Sequence, residues 1–280
     1  MTPRIALPSR GRLREGCLAL LDHAGYPVGM FHGAGSRATV AGIEFIEMRP
    51  ADAAAWLGAG RLDGAFISTD NALEHGIAEW PTLDLGLARS DLVVACREDA
   101  PFTEAADLAG ATVATHLPAL TRRWADDNGV DLTVVPMGGA LEGVCAAGLA
   151  DAIVDLRETG TSLAQNRLRV LETIRPCQAS FSYRAHPADL VGDMLLRMRA
   201  ALDARKMRYV VLHLAPSKLP QLSEVFPGLT APTVIPLDGR DDLIAAHLVV
   251  EGTAFWSGLG RLQALGATGI VALPTTAIVP

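Results

Sequence analysis

Short apolar runs alternate with amphipathic stretches from the start of the chain to about residue 205. The run RIALP at 4–8 is followed by a stretch in which Leu13, Cys17 and Leu20 recur at helical spacing. Similar runs predict the strands 42–48, 62–67, 83–87, 91–96, 111–114, 131–136, 152–154, 168–174 and 179–183. Strands and helices alternating at this spacing favour βαβ units on a parallel sheet, which is an α/β fold.

The order of these elements indicates two lobes. We expect the chain to leave lobe I near Cys96 and to return to it with the strand at 179–183. Lobe I is therefore assigned to residues 1–95 and 178–205, and lobe II to residues 96–177. Two lobes linked by a double crossing leave a cleft between them, where small-molecule sites are common.

The pattern changes at about Arg208, where a separate module begins. Strands are predicted at 209–214, 233–237, 243–250 and 269–273, with helices at 217–226 and 255–265. This β-α-β-β-α-β order is typical of a ferredoxin-like domain, assigned here to residues 206–280. The segment carries no nucleophile–base pair and no metal-ligand spacing, so we expect a regulatory or oligomer-forming role.

Composition and charge narrow the classes of function. The formal net charge is −7, which does not favour nucleic acid as a partner. No apolar run approaches the roughly 20 residues that span a bilayer, so no membrane association is expected. The basic N-terminus lacks the apolar core of a signal peptide, and the four cysteines form no CxxC motif. We therefore expect a cytoplasmic protein in a reducing compartment.

The stretch DAIVDLRETGTSL at 151–163 carries the clearest chemistry. An apolar strand ends at Asp155, and a helix is predicted to begin near Leu163. The turn between them, called the anion turn below, consists of Glu158, Thr159, Gly160, Thr161 and Ser162. Hydroxyl groups and free backbone N–H groups at a helix start bind phosphate, while a nearby carboxylate can bind sugar hydroxyls. The pattern suggests a phosphoribosyl ligand, but an ordinary strand–helix connection with a Thr or Ser cap has the same sequence features.

Three further strand ends carry candidate residues. Arg10 and Arg12 sit in a basic turn before the first helix, where they could meet a polyphosphate or lie solvated. Asp70 belongs to the polar turn 68–71 that follows another strand. Glu142 falls in the first turn of a predicted helix, either complementing its dipole or serving as a ligand carboxylate.

Taken in order, these stretches resemble ATP phosphoribosyltransferase of the long form, a family that acts first in histidine biosynthesis. The resemblance covers nearly the whole chain, and the ordered set is specific although no single motif is decisive. The matching stretches are IALPSRGRL, EFIEMRPADAAAWLGAGRLDGAFISTD, LVVA, VATHLPALTRRW, GALEG, LADAIVDLRETGTSL, AQNRLRVLETI, PGLTAPTVIPL and LGATGIVALP.

The resemblance implies a fold and an activity. The expected fold is a two-lobed catalytic part, similar to type II periplasmic binding proteins, with a C-terminal ferredoxin-like domain that binds histidine as a feedback inhibitor. The expected reaction transfers the phosphoribosyl group of 5-phosphoribosyl 1-diphosphate (PRPP) to N1 of ATP, releases pyrophosphate and uses Mg²⁺. No protein ligand for the metal is predicted. Long forms of the family are dimers that assemble into hexamers, so a homo-oligomer is expected.

The resemblance also assigns roles to the candidate residues. The anion turn would bind the 5-phosphate of PRPP. The catalytic carboxylates would be Asp155 and Glu142, which hold the ribose hydroxyls, with Asp151 nearby on the PRPP side. The ATP side would be formed by Arg10, Arg12 and Asp70.

Some positions depart from the family pattern. Arg10 stands where lysine is usual, and Ser68-Thr69 replaces a Thr-Gly pair on the nucleotide side. In the C-terminal module, Ala231 replaces a usual serine and His213 replaces a small polar or acidic residue. Two alternatives therefore stay open: a related phosphoribosyltransferase with another nitrogen acceptor, and a two-lobed solute-binding protein without catalysis.

Overall fold

Three β-sheets organise the residues that this computed structural model describes, which are 2–32, 35–227 and 232–279. The strands, numbered along the chain, are β1 (Arg4–Pro8), β2 (Arg37–Val40), β3 (Ile43–Met48), β4 (Gly64–Ser68), β5 (Thr82–Asp84), β6 (Ser90–Arg97), β7 (Thr112–Thr115), β8 (Thr133–Pro136), β9 (Ala152–Arg157), β10 (Leu168–Cys177), β11 (Ala179–Tyr183), β12 (Met207–Leu214), β13 (Thr233–Leu237), β14 (Arg240–Glu251) and β15 (Thr268–Pro274). The α-helices are α1 (Gly11–His23), α2 (Pro50–Gly58), α3 (Thr69–Glu74), α4 (Pro118–Asn128), α5 (Leu141–Ala146), α6 (Thr161–Gln165), α7 (Asp189–Ala204), α8 (Leu222–Val225) and α9 (Gly252–Ala264). Short 3₁₀ helices lie at Val28–His32, Ala105–Leu108 and Pro216–Gln221.

Lobe I is built on a six-stranded sheet in the order β2-β3-β1-β4-β11-β5. The central strand β1 runs parallel to β3 and β4, as the βαβ pattern predicted, and its Ile5, Ala6 and Leu7 are buried. The sheet is nevertheless mixed, because β11 runs antiparallel to β4 and β5, and β2 runs antiparallel to β3. The loops after β1 and β4 therefore emerge at the same edge of the sheet, where ligands of α/β proteins bind.

Lobe II is built on a five-stranded sheet in the order β10-β6-β9-β7-β8. Both of its faces are covered: Trp124 of α4 belongs to the core on one face, and Leu141 and Cys145 of α5 belong to the core on the other. Strand β7 is parallel to β8 and β9, so their carboxyl ends also share one edge. Strand β6 pairs antiparallel with β9 and β10.

The observed strand pairing places the boundary between the lobes earlier in the chain than predicted. The predicted limit at residue 95 is wrong, because all of β6 pairs within the sheet of lobe II. The first crossing therefore lies between β5 and β6, where the loop separates the two sheets. The return crossing lies at Gln178, between β10 and β11, where it was predicted.

The C-terminal module is a four-stranded antiparallel sheet in the order β13-β14-β12-β15. This order, with helices after its first and third strands, confirms the ferredoxin-like prediction. The predicted helix at 217–226 is instead a 3₁₀ segment followed by α8, because Pro220 lies inside it and has no N–H to donate. The substitution at Ala231 lies outside the described residues.

Backbone contacts divide the chain into two compact units. One comprises Met1–Ala19 and Tyr26–Asp193 and contains both lobes; the other comprises Leu20–Gly25 and Met194–Pro280. Residues 178–205 were predicted to belong to lobe I. The second half of α7 groups instead with the C-terminal module, so this part of the prediction is wrong. Hydrogen bonds from Ile278 N–H to the Ala200 carbonyl and from Thr275 Oγ1 to the Ala204 carbonyl fix this half of α7 there. Within the described residues, no helix has the length and apolarity needed to cross a bilayer.

Candidate active site between the two lobes

Asp70 is a fully buried carboxylate at the start of α3. Its Oδ2 accepts a hydrogen bond from Asn71 Nδ2 at 2.7 Å, while its Oδ1 is buried with no hydrogen-bond partner in the described residues. Burial raises the pKa of the Asp70 carboxyl above its ordinary value, against the opposing effects of its hydrogen bonds and of His116. The segment 68–71 was predicted as a polar turn, but α3 already begins at Thr69, so Asp70 lies in the first turn of a helix.

The side chain of His116 faces Asp155 in lobe II. His116 follows β7, and its Nδ1 lies 3.5 Å from Oδ1 of Asp155 near the end of β9. The same Oδ1 accepts a hydrogen bond from the Leu156 N–H at 2.7 Å. Burial is the main reason that the pKa of Asp155 is raised; His116 lowers it, while the charges of Glu142 and Asp70 raise it further. Asp70, His116, Glu142 and Asp155 therefore form one interacting group, called the carboxylate–histidine cluster below.

The anion turn leads from β9 into α6. Gly160 adopts the left-handed conformation with φ of 78°, which glycine tolerates without the strain that a Cβ would cause. Thr159 Oγ1 and Thr161 Oγ1 lie 3.0 Å apart, and Ser162 Oγ donates a hydrogen bond to Glu142 Oε1. The turn predicted to bind phosphate and the carboxylate predicted to bind ribose are therefore in direct contact.

The basic turn of lobe I reaches the anion turn. The guanidinium of Arg12, at the start of α1, forms an ion pair with Glu158. Arg10 is exposed just before α1 and forms no ion pair with the described residues. Thus Arg12, assigned to the ATP side, meets Glu158, assigned to the PRPP side.

Asp151 does not join this group. It precedes β9, whereas Asp155 lies four residues further along the strand, about 13 Å away at roughly 3.3 Å per residue. Its Oδ2 accepts the Thr112 N–H at 2.8 Å, at the start of β7. The assignment of Asp151 to PRPP is therefore corrected. Its carboxylate binds a backbone N–H at the opposite edge of the sheet.

A pair of contacts between α3 and α4, called the interlobe clasp below, was not predicted. The carboxylate of Glu74 accepts hydrogen bonds from the N–H groups of Ala119 and Leu120 at 2.9 and 2.8 Å. In return, a guanidinium N–H of Arg123 donates to the Leu73 carbonyl at 2.6 Å. Each helix thus satisfies an open end of the other. One sequence signal existed: α4 begins with Pro118 after Leu117, which has no side chain that can cap it.

A cavity of about 620 Å³ lies in the same unit, beside the crossings between the lobes. Its lining includes three arginines that the sequence analysis did not single out: Arg89, Arg157 and Arg175. Arg157 pairs with Asp91 at 2.7 Å. Thr69 also lines the cavity; its N–H donates to the Gln178 carbonyl at 2.9 Å, and its Oγ1 accepts the Gln178 N–H at 3.2 Å. The cavity therefore joins the start of α3 to the return crossing.

None of the four cysteines, all of which are described, forms a disulfide. Within the described residues, no three His, Cys, Asp or Glu side chains gather closely enough to hold a metal ion. The side chains gathered at the site are hydroxyl groups, carboxylates and arginines. Such a set suits a substrate that carries both phosphates and sugar hydroxyls.

Comparisons with known proteins agree with this chemistry. The family model for ATP phosphoribosyltransferase matches residues 49–200, and the model "HisG, C-terminal domain" matches residues 204–277. The ATP phosphoribosyltransferases of Methanosarcina mazei and Gemmatimonas aurantiaca are 32% and 34% identical to this chain, and each alignment covers 99% of both proteins. A solved ATP phosphoribosyl transferase (HisG:HisZ) complex from Thermotoga maritima matches with a TM-score of 0.59 and 25% identity, over 70% of this chain and 96% of that one. The chain therefore belongs to the ATP phosphoribosyltransferase family, in the long form that includes the C-terminal domain.

Proposed function

We propose that this chain transfers the 5-phosphoribosyl group of PRPP to N1 of the adenine of ATP, giving phosphoribosyl-ATP and pyrophosphate. The observation that carries the proposal is the contact between Ser162 and Glu142. It joins a turn suited to phosphate directly to a carboxylate suited to ribose hydroxyls. Family membership supports the same reaction.

The anion turn would bind the 5-phosphate of PRPP. Thr159, Thr161 and Ser162 offer hydroxyl groups, and Gly160 lets the phosphate approach the backbone. Asp155 and Glu142 would accept hydrogen bonds from the ribose hydroxyls. This arrangement would place the anomeric carbon between the turn and the residues of lobe I.

The chemistry requires no protein nucleophile. N1 of adenine forms a bond to the anomeric carbon while the bond from that carbon to the pyrophosphate oxygen breaks. Positive charge develops on the ribose, where the carboxylates of Asp155 and Glu142 stabilise it. Holding two polyanionic substrates in line supplies much of the remaining reduction of the barrier.

ATP would bind on the side of lobe I. Arg10 and Arg12 at the start of α1 would contact its phosphates, and Asp70 would contact the nucleoside. The cavity beside Thr69 is lined by Arg89 and Arg175 as well as by the ion pair of Arg157 with Asp91, so it offers further guanidinium groups for phosphate. Because Arg12 already pairs with Glu158, ATP would have to compete with Glu158 for it.

Mg²⁺ would enter this reaction with the substrates. The described residues gather no three-ligand site, and Mg²⁺ commonly binds through substrate phosphates and water. As part of the Mg²⁺ complexes of PRPP and ATP, the ion would neutralise charge on the pyrophosphate that leaves.

Ser68 and Thr69 are the feature that could favour another acceptor. Both side chains are engaged locally: Asn71 Nδ2 donates to Ser68 Oγ at 2.8 Å, and Thr69 Oγ1 accepts the Gln178 N–H. The hydroxyls thus have roles within the fold, which weakens the case for a different nitrogen acceptor.

The C-terminal domain would regulate and assemble the enzyme. One face of its sheet is covered by helices, whereas the other exposes Val249, Val271 and Leu273, each 42–50% accessible. An apolar sheet face of this kind supports a homo-oligomer. We also propose feedback inhibition by histidine, by family resemblance, and a cytoplasmic location where PRPP and ATP are available. Adding histidine at up to millimolar concentration should lower the rate; an unchanged rate would remove this part of the proposal.

One assay tests the activity. The purified chain is mixed with PRPP, Mg²⁺ and ATP, and formation of phosphoribosyl-ATP is followed. We expect turnover, and we expect Thr161→Ala to weaken PRPP binding more than ATP binding. Turnover with another base but not with ATP would select the related transferase. Binding of PRPP with no turnover of any acceptor would select a solute-binding protein.

A further inference from the structure

His116 is a basic side chain that faces the half-buried carboxylate of Asp155. Its Nδ1 lies 3.5 Å from Asp155 Oδ1, and it acts electrostatically on Asp70 of the other lobe as well. The side chain is about one third exposed, so it lies at the wall of the cleft rather than in a core. No role was assigned to it from the sequence.

Asp155 is held in one orientation by two contacts on the same oxygen. Oδ1 accepts a hydrogen bond from the Leu156 N–H and faces His116. Oδ2 forms no hydrogen bond with the described residues. This leaves Oδ2 available for a ligand hydroxyl. Removing His116 would leave Leu156 N–H as the only group in the described part of the chain that fixes Oδ1.

The charges around His116 are mostly negative. Asp155 faces it from β9 and Asp70 interacts with it from α3, while Glu142 of α5 acts on Asp155 and the buried thiol of Cys177 lies close to Asp70. The charges of Glu142 and Asp70 disfavour the ionisation of Asp155 and raise its pKa. The imidazole of His116 offsets that repulsion, because it lies 3.5 Å from Asp155 and lowers the pKa of both Asp155 and Asp70.

We propose that His116 is a positioning residue that keeps Asp155 ionised and its free oxygen turned toward the ribose of PRPP. The proposal rests on the phosphoribosyl-transfer site described above and deepens it. His116 does not attack or protonate a substrate in this scheme. It acts on the reaction through Asp155.

The test is the pH dependence of kcat/KM for PRPP in His116→Gln, His116→Lys and His116→Glu. Because His116 lowers the pKa of Asp155, loss of the imidazole should make Asp155 harder to ionise, so the acidic limb of the profile should move to higher pH. For His116→Gln we expect kcat/KM to fall about tenfold at pH 6 and less than about threefold at pH 8.5, because the rate on an acidic limb changes about tenfold for each step of one in pH. His116→Lys should restore the acidic limb, and His116→Glu should move it further than His116→Gln.

The matched control is His186→Gln, which changes an exposed histidine of the same unit and should leave the profile unchanged. A loss in His116→Gln that is equal at all pH values, or no loss, would overturn the proposal. If the wild-type chain makes no phosphoribosyl-ATP, the proposed function fails, and the dissociation constant of PRPP is compared across the same pH range by calorimetry. The same movement of the acidic limb in binding would support the role of His116, and pH-independent ratios would overturn it.

Discussion

The guanidinium of Arg12 and the carboxylate of Glu158 form an ion pair that links α1 of lobe I to the anion turn of lobe II. The two residues belong to opposite halves of the proposed site. A substrate phosphate that binds Arg12 must therefore replace Glu158 as its partner. Occupation of the ATP side would release the turn that binds PRPP.

Replacement of Arg12 should affect ATP more than stability. We expect Arg12→Ala to raise the KM for ATP about tenfold through loss of a charged contact. The pair is largely exposed, so the free energy of unfolding should change by less than about 1 kcal/mol. Arg37→Ala, which breaks an exposed pair with Glu44 elsewhere in lobe I, is the control. Equal increases in KM for both variants would contradict the role of Arg12.

Replacement of Glu74 should open the interlobe clasp. Glu74→Ala leaves the N–H groups of Ala119 and Leu120 without their acceptor, so we expect a loss of about 1–3 kcal/mol in the free energy of unfolding. Turnover should also fall, because α3 carries Asp70. Denaturant unfolding and steady-state kinetics measure the two effects. The exposed Glu79 supplies a control, and a Glu74→Ala chain as stable as Glu79→Ala would show that the clasp does not hold the lobes.

Asp70→Asn should raise the stability of the chain at neutral pH but weaken its use of ATP. Because folding raises the pKa of Asp70, the folded chain binds its proton more tightly than the unfolded chain does. This carboxyl therefore favours folding at low pH and costs stability as the pH rises above its ordinary value of 3.8 and through its raised pKa. We expect Asp70→Asn to have a higher Tm than the wild type at neutral pH, a smaller advantage near pH 4, and a higher KM for ATP. A variant that is less stable at every pH would contradict the assignment of an unfavourable buried charge.

Gly160→Ala should damage the anion turn through its backbone. An added Cβ would meet nothing closer than Arg157 Cδ at 3.7 Å, so no clash is expected. The cost comes from the φ of 78°, which should disfavour the observed turn by about 1 kcal/mol in a residue with a Cβ. We expect the KM for PRPP to rise about fivefold, with the KM for ATP little changed. Gly192→Ala, in α7 with open space around it, is the control; loss of ATP binding of the same size would indicate general misfolding.

The sequence predicted local elements well and long-range pairing less well. Strand β11 was predicted with its observed bounds because both of its ends are marked by polar residues. Its antiparallel pairing with β4 could not be read from those five residues, since side-chain alternation is the same in either direction. Strand β6 was given to the wrong lobe for the same reason. The sequence of an apolar strand does not indicate which sheet the strand joins.

The candidate site divides in a similar way. The anion turn is continuous in sequence, so its hydroxyl groups and glycine could be recognised together. His116 and Glu74 were missed because each acts on a partner far along the chain: 39 residues separate His116 from Asp155, and 45 separate Glu74 from Ala119. Asp151 was misplaced because closeness to Asp155 in sequence was taken as closeness in space, although a strand separates them.

Helix α3 has a further consequence for how this sequence can vary. Asp70 and Glu74 are four residues apart, which places them on one side of the helix, toward lobe II. A single inserted or deleted residue between them would turn one relative to the other by about 100°, since the helix has 3.6 residues per turn. A change in the length of this segment would therefore separate the two carboxylates, whatever residues lie between them. Relatives that share this site should therefore preserve the number of residues between Asp70 and Glu74.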